Sequence, residues 1–124
     1  VFGVPGDQLY PILDAIYKDK RIDFTSMRHE AAAAHAADAW ARVTGEPGVC
    51  LGTVGPGAVN LVAGVYPAFV DSIPMIVITA QNQAWRSYPD HGSTQGLDQL
   101  SLFKAVTKWN ALVSHWNRIP ELTQ

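Results

Sequence analysis

Residues 27–40 read Met27-Arg-His-Glu-Ala-Ala-Ala-Ala-His-Ala-Ala-Asp-Ala-Trp40, and this run limits how the neighbouring segments can fold. Alanine is the strongest helix former, so the run predicts a helix over about residues 29–43. The strand-like segment Ile22–Ser26 comes directly before it. A strand that leads into a helix places Glu30 at the carboxyl edge of a sheet, where open α/β folds bind ligands. We therefore interpret Glu30 as a functional acid and the smooth alanine face as a packing surface, against a second chain.

Strand-like and helical segments alternate on both sides of this run. Short apolar runs indicate strands, and apolar residues at helical spacing indicate the connecting helices. We expect strands at residues 1–4, 22–26, 49–53, 75–80 and 107–113, and helices at residues 8–17, 29–43, 58–70 and 97–105. The alternation predicts an α/β fold, a doubly wound and mainly parallel sheet with helices on both faces.

Composition fits one compact domain over residues 1–124, with 48% hydrophobic and 16% charged residues. The net charge of −2 gives no reason to expect a nucleic-acid surface. The single cysteine, Cys50, lies in an apolar run, which predicts a buried inert thiol and a cytoplasmic protein. No apolar run is long enough to cross a bilayer. Because the chain opens on Val1 inside a strand-like run, we expect a fragment truncated at both ends.

Several motifs admit a structural reading beside a functional one. His29 and His35 lack the i, i+4 spacing of helical metal ligands, so we expect no metal site there. Gly55-Pro56-Gly57 follows a strand and opens a helix, which suits either a ligand-binding loop or a plain turn. The dinucleotide pattern is unmet because Asn60 stands where it requires glycine, which counts against a nucleotide-binding domain.

Single polar residues are equally open at this point. A first-turn acid such as Glu30 is favoured by the helix dipole alone. Asp7 after Pro5-Gly6 would serve as a helix cap, and His91, Gln95 and Asp98 would be surface residues.

Six segments taken together resemble one known family. They are Phe2–Asp7, Arg28–Ala32, Ala39–Gly45, Thr53–Asn60, Ala68–Pro74 and Thr107–Trp109. In this order and spacing they resemble the N-terminal, pyrimidine-binding domain of thiamine-diphosphate-dependent enzymes, in the acetolactate synthase and 2-oxo-acid decarboxylase group. The resemblance covers nearly the whole chain.

The resemblance implies roles for the site residues. Glu30 corresponds to the glutamate that hydrogen-bonds ring nitrogen N1′ of the cofactor and so promotes proton loss from thiazolium C2. Asp7, Gln95 and His91 fall on the substrate side, which implies a 2-oxo acid such as pyruvate. The cofactor is implied to contact Glu30 and the two loops that contain Pro5, Gly6, Thr53, Gly55, Pro56, Gly57 and Asn60.

Two departures from the family keep the substrate open. Asp90 precedes His91, so the histidine pair of the pyruvate decarboxylases is incomplete, and Leu51 falls near the histidine of the benzoylformate type. We expect an acetolactate synthase-like enzyme. The alternatives are a pyruvate-type decarboxylase, a 2-hydroxyacyl-CoA lyase, or a non-catalytic stand-alone domain or interaction subunit.

The resemblance also implies partners. In the family the site lies between the pyrimidine domain of one chain and the diphosphate-binding domain of another, which holds the diphosphate and Mg²⁺. We therefore expect a dimer or tetramer formed through the alanine-rich helix, an FAD site on a further domain, and an isolated chain that is inactive.

Overall fold

The chain is described over residues 1–87 and 93–124 by a computed structural model. Its strands are β1 (Phe2–Gly3), β2 (Thr25–Ser26), β3 (Gly48–Gly52) and β4 (Met75–Thr79). They form a four-stranded sheet in the order β2-β1-β3-β4, in which every pairing is parallel. The predicted parallel α/β sheet is confirmed.

The helices connect these strands. They are α1 (Tyr10–Asp19), α2 (Glu30–Thr44), α3 (Pro56–Val70), α4 (Ala84–Ser87), α5 (Gln99–Lys104) and α6 (Ile119–Leu122), with 3-10 turns at Asp7–Leu9 and Trp116–Arg118. Local sequence sets their ends. Gly45 takes the left-handed conformation directly after α2, and Pro56 occupies the first position of α3, where its missing N–H costs nothing.

The strand order makes the sheet doubly wound. The connection from β1 to β2 runs towards one edge of the sheet, whereas the connections from β2 to β3 and to β4 run towards the other. Because parallel crossovers are right-handed, α1 lies on one face and α2 and α3 on the opposite face. The direction of winding changes between β1 and β3, and ligands bind at such a switch point, beyond the carboxyl ends of the strands.

The centre of the core is the contact between α2 and α3. Ala34 and Ala37 are fully buried there with Leu61, whose burial stabilises the fold by roughly 2 kcal/mol. Gly64 permits the close approach, since a Cβ atom at this position would lie 2.6 Å from the Cβ of Ala34. The tight packing that we expected between the alanine face and a second chain is therefore made, in large part, by α3 of the same chain.

Two expectations about single elements need correction. Residues 107–113 form no strand; most of their side chains are exposed, so the burial that would favour a strand is missing. Strand β2 covers Thr25–Ser26 alone, and Ile22 is 45% exposed. Helix α3 is buried on one side and exposes a second apolar side that includes Tyr66 and Val70. In the described part of the chain, no helix is both long and apolar enough to cross a membrane.

Candidate functional site

The loops that follow β1, β2 and β3 meet at the carboxyl edge of the sheet. The backbone N–H of Met27 donates to the carbonyl of Gly3 at 2.8 Å, which fixes the loop after β2 beside β1. His29 then caps α2, because its Nδ1 atom accepts a hydrogen bond from the N–H of Ala31 at 3.1 Å. Glu30 is consequently the first residue of α2, and its side chain is directed inwards with the residue only 9% exposed.

The carboxylate of Glu30 is held by one of its two oxygens. Asn60, in the second turn of α3, donates from Nδ2 to Oε2 of Glu30 at 2.9 Å. The other oxygen, Oε1, lies 3.3 Å from the point where a side chain on Gly57 would begin. No residue in the described ranges donates a hydrogen bond to Oε1. This oxygen is available to a ligand that enters beside Gly57.

Thr53 joins the loops after β1 and β3. It lies between two glycines: a Cβ atom on Gly6 would be 2.5 Å from Thr53 Oγ1, and one on Gly57 would be 2.7 Å from its Cγ2. The hydroxyl of Thr53 also donates to Oε1 of Gln8 at 3.2 Å. These glycines are therefore required by packing within the chain, whether or not a ligand also approaches them.

The returning segment, which the structure describes over residues 81–87 and 93–98, brings Gln95 to the same edge. Gly55 has φ +62°, in the left-handed region that favours glycine, and a Cβ atom there would lie 2.6 Å from the backbone oxygen of Gln95. Gln95 itself has φ +64°. The segment is tied down at both ends: Gln81 Nε2 donates to the carbonyl of Leu97 at 3.1 Å, and Gln99 Nε2 donates to that of Ala80 at 2.6 Å.

The structure therefore brings most of the candidate residues to one edge of the sheet. Glu30, Asn60, Gly57, Thr53 and Gly6 form a contiguous group, and Gln95 packs on the adjoining Gly55.

Other candidate residues are less closely placed. Asp7 begins the 3-10 turn next to Gly6 with an exposed side chain that caps nothing, so the helix-cap reading of Asp7 is wrong. Pro5 and Pro56 are exposed at the ends of their loops. The prediction for His91 falls outside the described residues.

Sequence reasoning missed three glutamines. Gln8, Gln81 and Gln99 carry the hydrogen bonds that organise the edge, yet glutamine has no spacing rule that marks such a role. Gln99 is 8% exposed, and its Oε1 atom is buried without a hydrogen-bond partner in the described structure. Gln8 follows β1 and Gln81 follows β4, so their positions after strands could have marked them as residues of this edge.

Two other reactive side chains have structural roles. Burial raises the pKa of the Cys50 thiol to about 12, so this cysteine is an inert core residue, as predicted. His29 is occupied as the cap of α2. Among residues 1–87 and 93–124, no group of three or more His, Cys, Asp or Glu side chains is arranged to hold a metal ion.

Comparison with known proteins identifies the domain. The family described as thiamine pyrophosphate enzyme, N-terminal TPP binding domain, matches residues 1–102. The chain belongs to this family. The predicted resemblance is thereby confirmed, together with the thiamine-diphosphate fold and cofactor class.

The regions that match this chain in curated relatives are parts of larger proteins. The chain is 43% identical over 121 residues to a probable acetolactate synthase large subunit of Methanocaldococcus jannaschii, covering 98% of the chain and 20% of that protein. It is 42% identical to the acetolactate synthase isozyme 2 large subunit of Escherichia coli, covering 98% of the chain and 22% of that protein. It is 39% identical to the mitochondrial acetolactate synthase catalytic subunit of Saccharomyces cerevisiae, covering 97% of the chain and 17% of that protein. The chain thus spans about a fifth of the length of these relatives.

The edge of this thiamine pyrophosphate enzyme domain suits the pyrimidine end of its cofactor. Oε1 of Glu30 is a carboxylate acceptor without a donor in the described structure, directed at a turn that has no side chain at Gly57. A protonated ring nitrogen is the complementary group, because a hydrogen bond to a charged partner is about twice as strong as a neutral one. The residues present therefore fit the aminopyrimidine.

Proposed function

We propose that this domain is the pyrimidine-binding half-site of a thiamine-diphosphate-dependent, acetolactate synthase-like enzyme that acts on 2-oxo acids. One observation carries the proposal: Glu30 is a buried carboxylate at the carboxyl edge of the sheet, with one oxygen held by Asn60 and the other left for a ligand. Identity of about 40% to acetolactate synthase subunits favours that activity over others.

The residues of this chain bind and orient. Glu30 Oε1 holds the proton that it shares with ring nitrogen N1′ of the aminopyrimidine. Gly57 places backbone without a side chain beside Oε1, and Thr53 keeps its loop fixed against Gly6. Bound thiamine diphosphate supplies an acidic thiazolium carbon and an electron sink for the bond beside the substrate carbonyl.

The substrate side is proposed from the exposed residues near this edge. Asp7 and Gln95 have exposed side chains on adjoining loops. The family resemblance alone adds His91 to them. We propose that they orient the carboxylate and carbonyl of a 2-oxo acid such as pyruvate. A pyruvate-type decarboxylase or a 2-hydroxyacyl-CoA lyase is the alternative, since both would use the same half of the cofactor.

The remaining half of the site belongs to a partner in this proposal. By the family resemblance, a diphosphate-binding domain, in the full-length chain or a separate subunit, holds the diphosphate and Mg²⁺, and an FAD site lies on a further domain. The chain studied is then a single domain, residues 1–124, of a longer protein.

Apolar surface on α2 and α3 supports a homo-oligomer. The outer face of α2 borders an open groove of about 400 Å³ lined by Phe2, Ala36, Ala39, Trp40, Val43 and Thr44. Trp40 is 50% exposed, and Tyr66 on α3 is 57% exposed. Faces of this kind mark protein interfaces. The cytoplasm is the proposed compartment, although the Saccharomyces relative is mitochondrial by name.

Product analysis of the full-length enzyme tests the proposal. With pyruvate, thiamine diphosphate and Mg²⁺, we expect carbon dioxide and acetolactate in equal amounts. Release of acetaldehyde in place of acetolactate would favour the decarboxylase. An enzyme that binds thiamine diphosphate yet turns over no 2-oxo acid would support the non-catalytic alternative and contradict the proposal.

A further inference from the structure

Asn60 and Glu30 form an isolated pair between two helices. The residues are 30 positions apart in the chain, and their 2.9 Å hydrogen bond links the N-terminal parts of α2 and α3. Glu30 is the sole hydrogen-bond partner of the Asn60 side chain in the described residues. Asparagine is a weaker helix former than alanine, so α3 gains nothing from Asn60 on its own account.

The geometry of the pair determines the direction of the carboxylate. A hydrogen bond to one oxygen of a carboxylate restricts its rotation and so narrows the directions in which the second oxygen points. Here Oε2 is the bound oxygen, and Oε1 lies beside Gly57, at the turn between β3 and α3. The amide of Asn60 donates and Oε2 of the carboxylate accepts, so Oε1 is the oxygen that remains as acceptor for a ligand N–H.

We infer that Asn60 is a positioning residue, which holds Oε2 of Glu30 so that Oε1 meets the pyrimidine ring of the cofactor. It acts on the cofactor through Glu30. This differs from direct contact with the cofactor, the role that family resemblance gave to Asn60. The inference rests on the proposed function of Glu30. It adds the residue that leaves Oε1 directed at the pyrimidine ring.

A double-mutant cycle on the full-length enzyme separates indirect from direct action. The variants are Asn60→Ala, Glu30→Gln and the two combined, and the readout is the calorimetric Kd for thiamine diphosphate in the presence of Mg²⁺. We expect Asn60→Ala to weaken binding about tenfold when Glu30 is present, because a hydrogen bond to a charged group is lost. In the Glu30→Gln background, the same change should weaken binding by less than about twofold.

Two controls keep the test interpretable. Asn110→Ala removes an asparagine amide that donates to the carbonyl of Leu100 and not to Glu30, and it should change Kd by less than about twofold. Asn60→Asp has the shape of asparagine but no donor, and it places a second carboxylate against Glu30. It should weaken binding more than Asn60→Ala does. In both Asn60 variants kcat should fall while the KM for pyruvate is unchanged.

Each other outcome overturns the inference. Equal losses of affinity in the two backgrounds would show that Asn60 contacts the cofactor directly or only supports the fold. Unchanged affinity in Asn60→Ala and Asn60→Asp would show that Glu30 needs no positioning. If Glu30→Gln itself left both affinity and turnover unchanged, the proposed function of Glu30 would fail, and the inference with it. That result is distinguishable from failure of the inference alone, because it appears in the Glu30→Gln variant, in which Asn60 is unchanged.

Discussion

The two halves of the candidate site are built differently. The half that presents Glu30 lies on the long helices α2 and α3, which pack through fully buried residues such as Ala34 and Leu61. The half that presents Gln95 lies on the returning segment, described over residues 81–87 and 93–98, which is tied at its ends by the side chains of Gln81 and Gln99. In the proposed function, the chemistry that depends on the direction of one oxygen atom is therefore placed on packed helices, and contact with the substrate is placed on a loop.

The largest expected effect is on the helical half. In the full-length enzyme, Glu30→Gln keeps the shape of the side chain but cannot accept a proton. We expect turnover to fall by at least about 100-fold, the usual contribution of a general acid–base group, while the circular dichroism spectrum is unchanged. Glu46→Gln, an exposed glutamate beyond the end of α2, is the control and should retain normal turnover. Near-normal activity of Glu30→Gln would contradict the proposed role of Glu30, and with it the contrast between the helical half and the loop half of the site.

The next effect tests whether helix packing supports this half. A methyl group at Gly64 would lie 2.6 Å from Ala34 Cβ and 2.7 Å from the backbone nitrogen of His35, so α2 and α3 must separate. We expect Gly64→Ala to lower the free energy of unfolding of this chain by about 1–3 kcal/mol, measured in urea. Ala63→Ser, at the exposed neighbouring position, should change it by about 0.5 kcal/mol or less. Equal stability of the two variants would contradict the packing described.

The pKa of the Cys50 thiol is a second test of how well the helical half is packed. Burial raises the pKa of the thiol from 9.0 to about 12 in the folded chain, so above pH 9 the unfolded chain binds fewer protons than the folded one. Stability that is present below pH 9 is therefore lost as the pH rises towards 12, by about 1.4 kcal/mol per pH unit at most. Urea unfolding of Cys50→Ala should show a shallower decline over this range. Identical slopes would mean that the thiol is solvated.

Loss of the Gln95 side chain should have the smallest effect. Its side chain is exposed, so Gln95→Ala should leave stability unchanged and weaken contact with substrate alone. We expect kcat/KM of the full-length enzyme to fall about threefold to tenfold, the value of one hydrogen bond. Thr94→Ala, at the adjacent exposed position, serves as the control. A loss as large as that in Glu30→Gln would show that the returning segment takes part in proton transfer.

The same contrast explains how much could be predicted from sequence. Strands β3 and β4 and helices α2 and α3 begin within two residues of their predicted positions, because apolar runs and Gly or Pro residues define them locally. The pairing of Glu30 with Asn60 requires that the first turns of α2 and α3 meet, which local patterns do not encode. Residues 107–113 were wrongly predicted as a strand from their apolar content alone. A strand also needs a neighbouring strand to pair with and burial of one face.

The returning segment was the least predictable part of the site. Nothing in the sequence indicated that Gln81 and Gln99 would close it by donating to Leu97 and Ala80. Glutamine side chains have many rotamers, so such bonds depend on the assembled sheet edge. The resemblance to thiamine-diphosphate enzymes placed Gln95 near this edge, where it packs on Gly55.

The central claim is that one oxygen of Glu30 meets the pyrimidine ring while Asn60 holds the other. A crystal structure of the full-length enzyme with thiamine diphosphate and Mg²⁺ tests this most directly. We predict a hydrogen bond of about 2.7–2.9 Å from Glu30 Oε1 to ring nitrogen N1′, with the bond from Asn60 to Oε2 retained. A ring nitrogen paired with another group, and Glu30 turned towards solvent, would contradict the account.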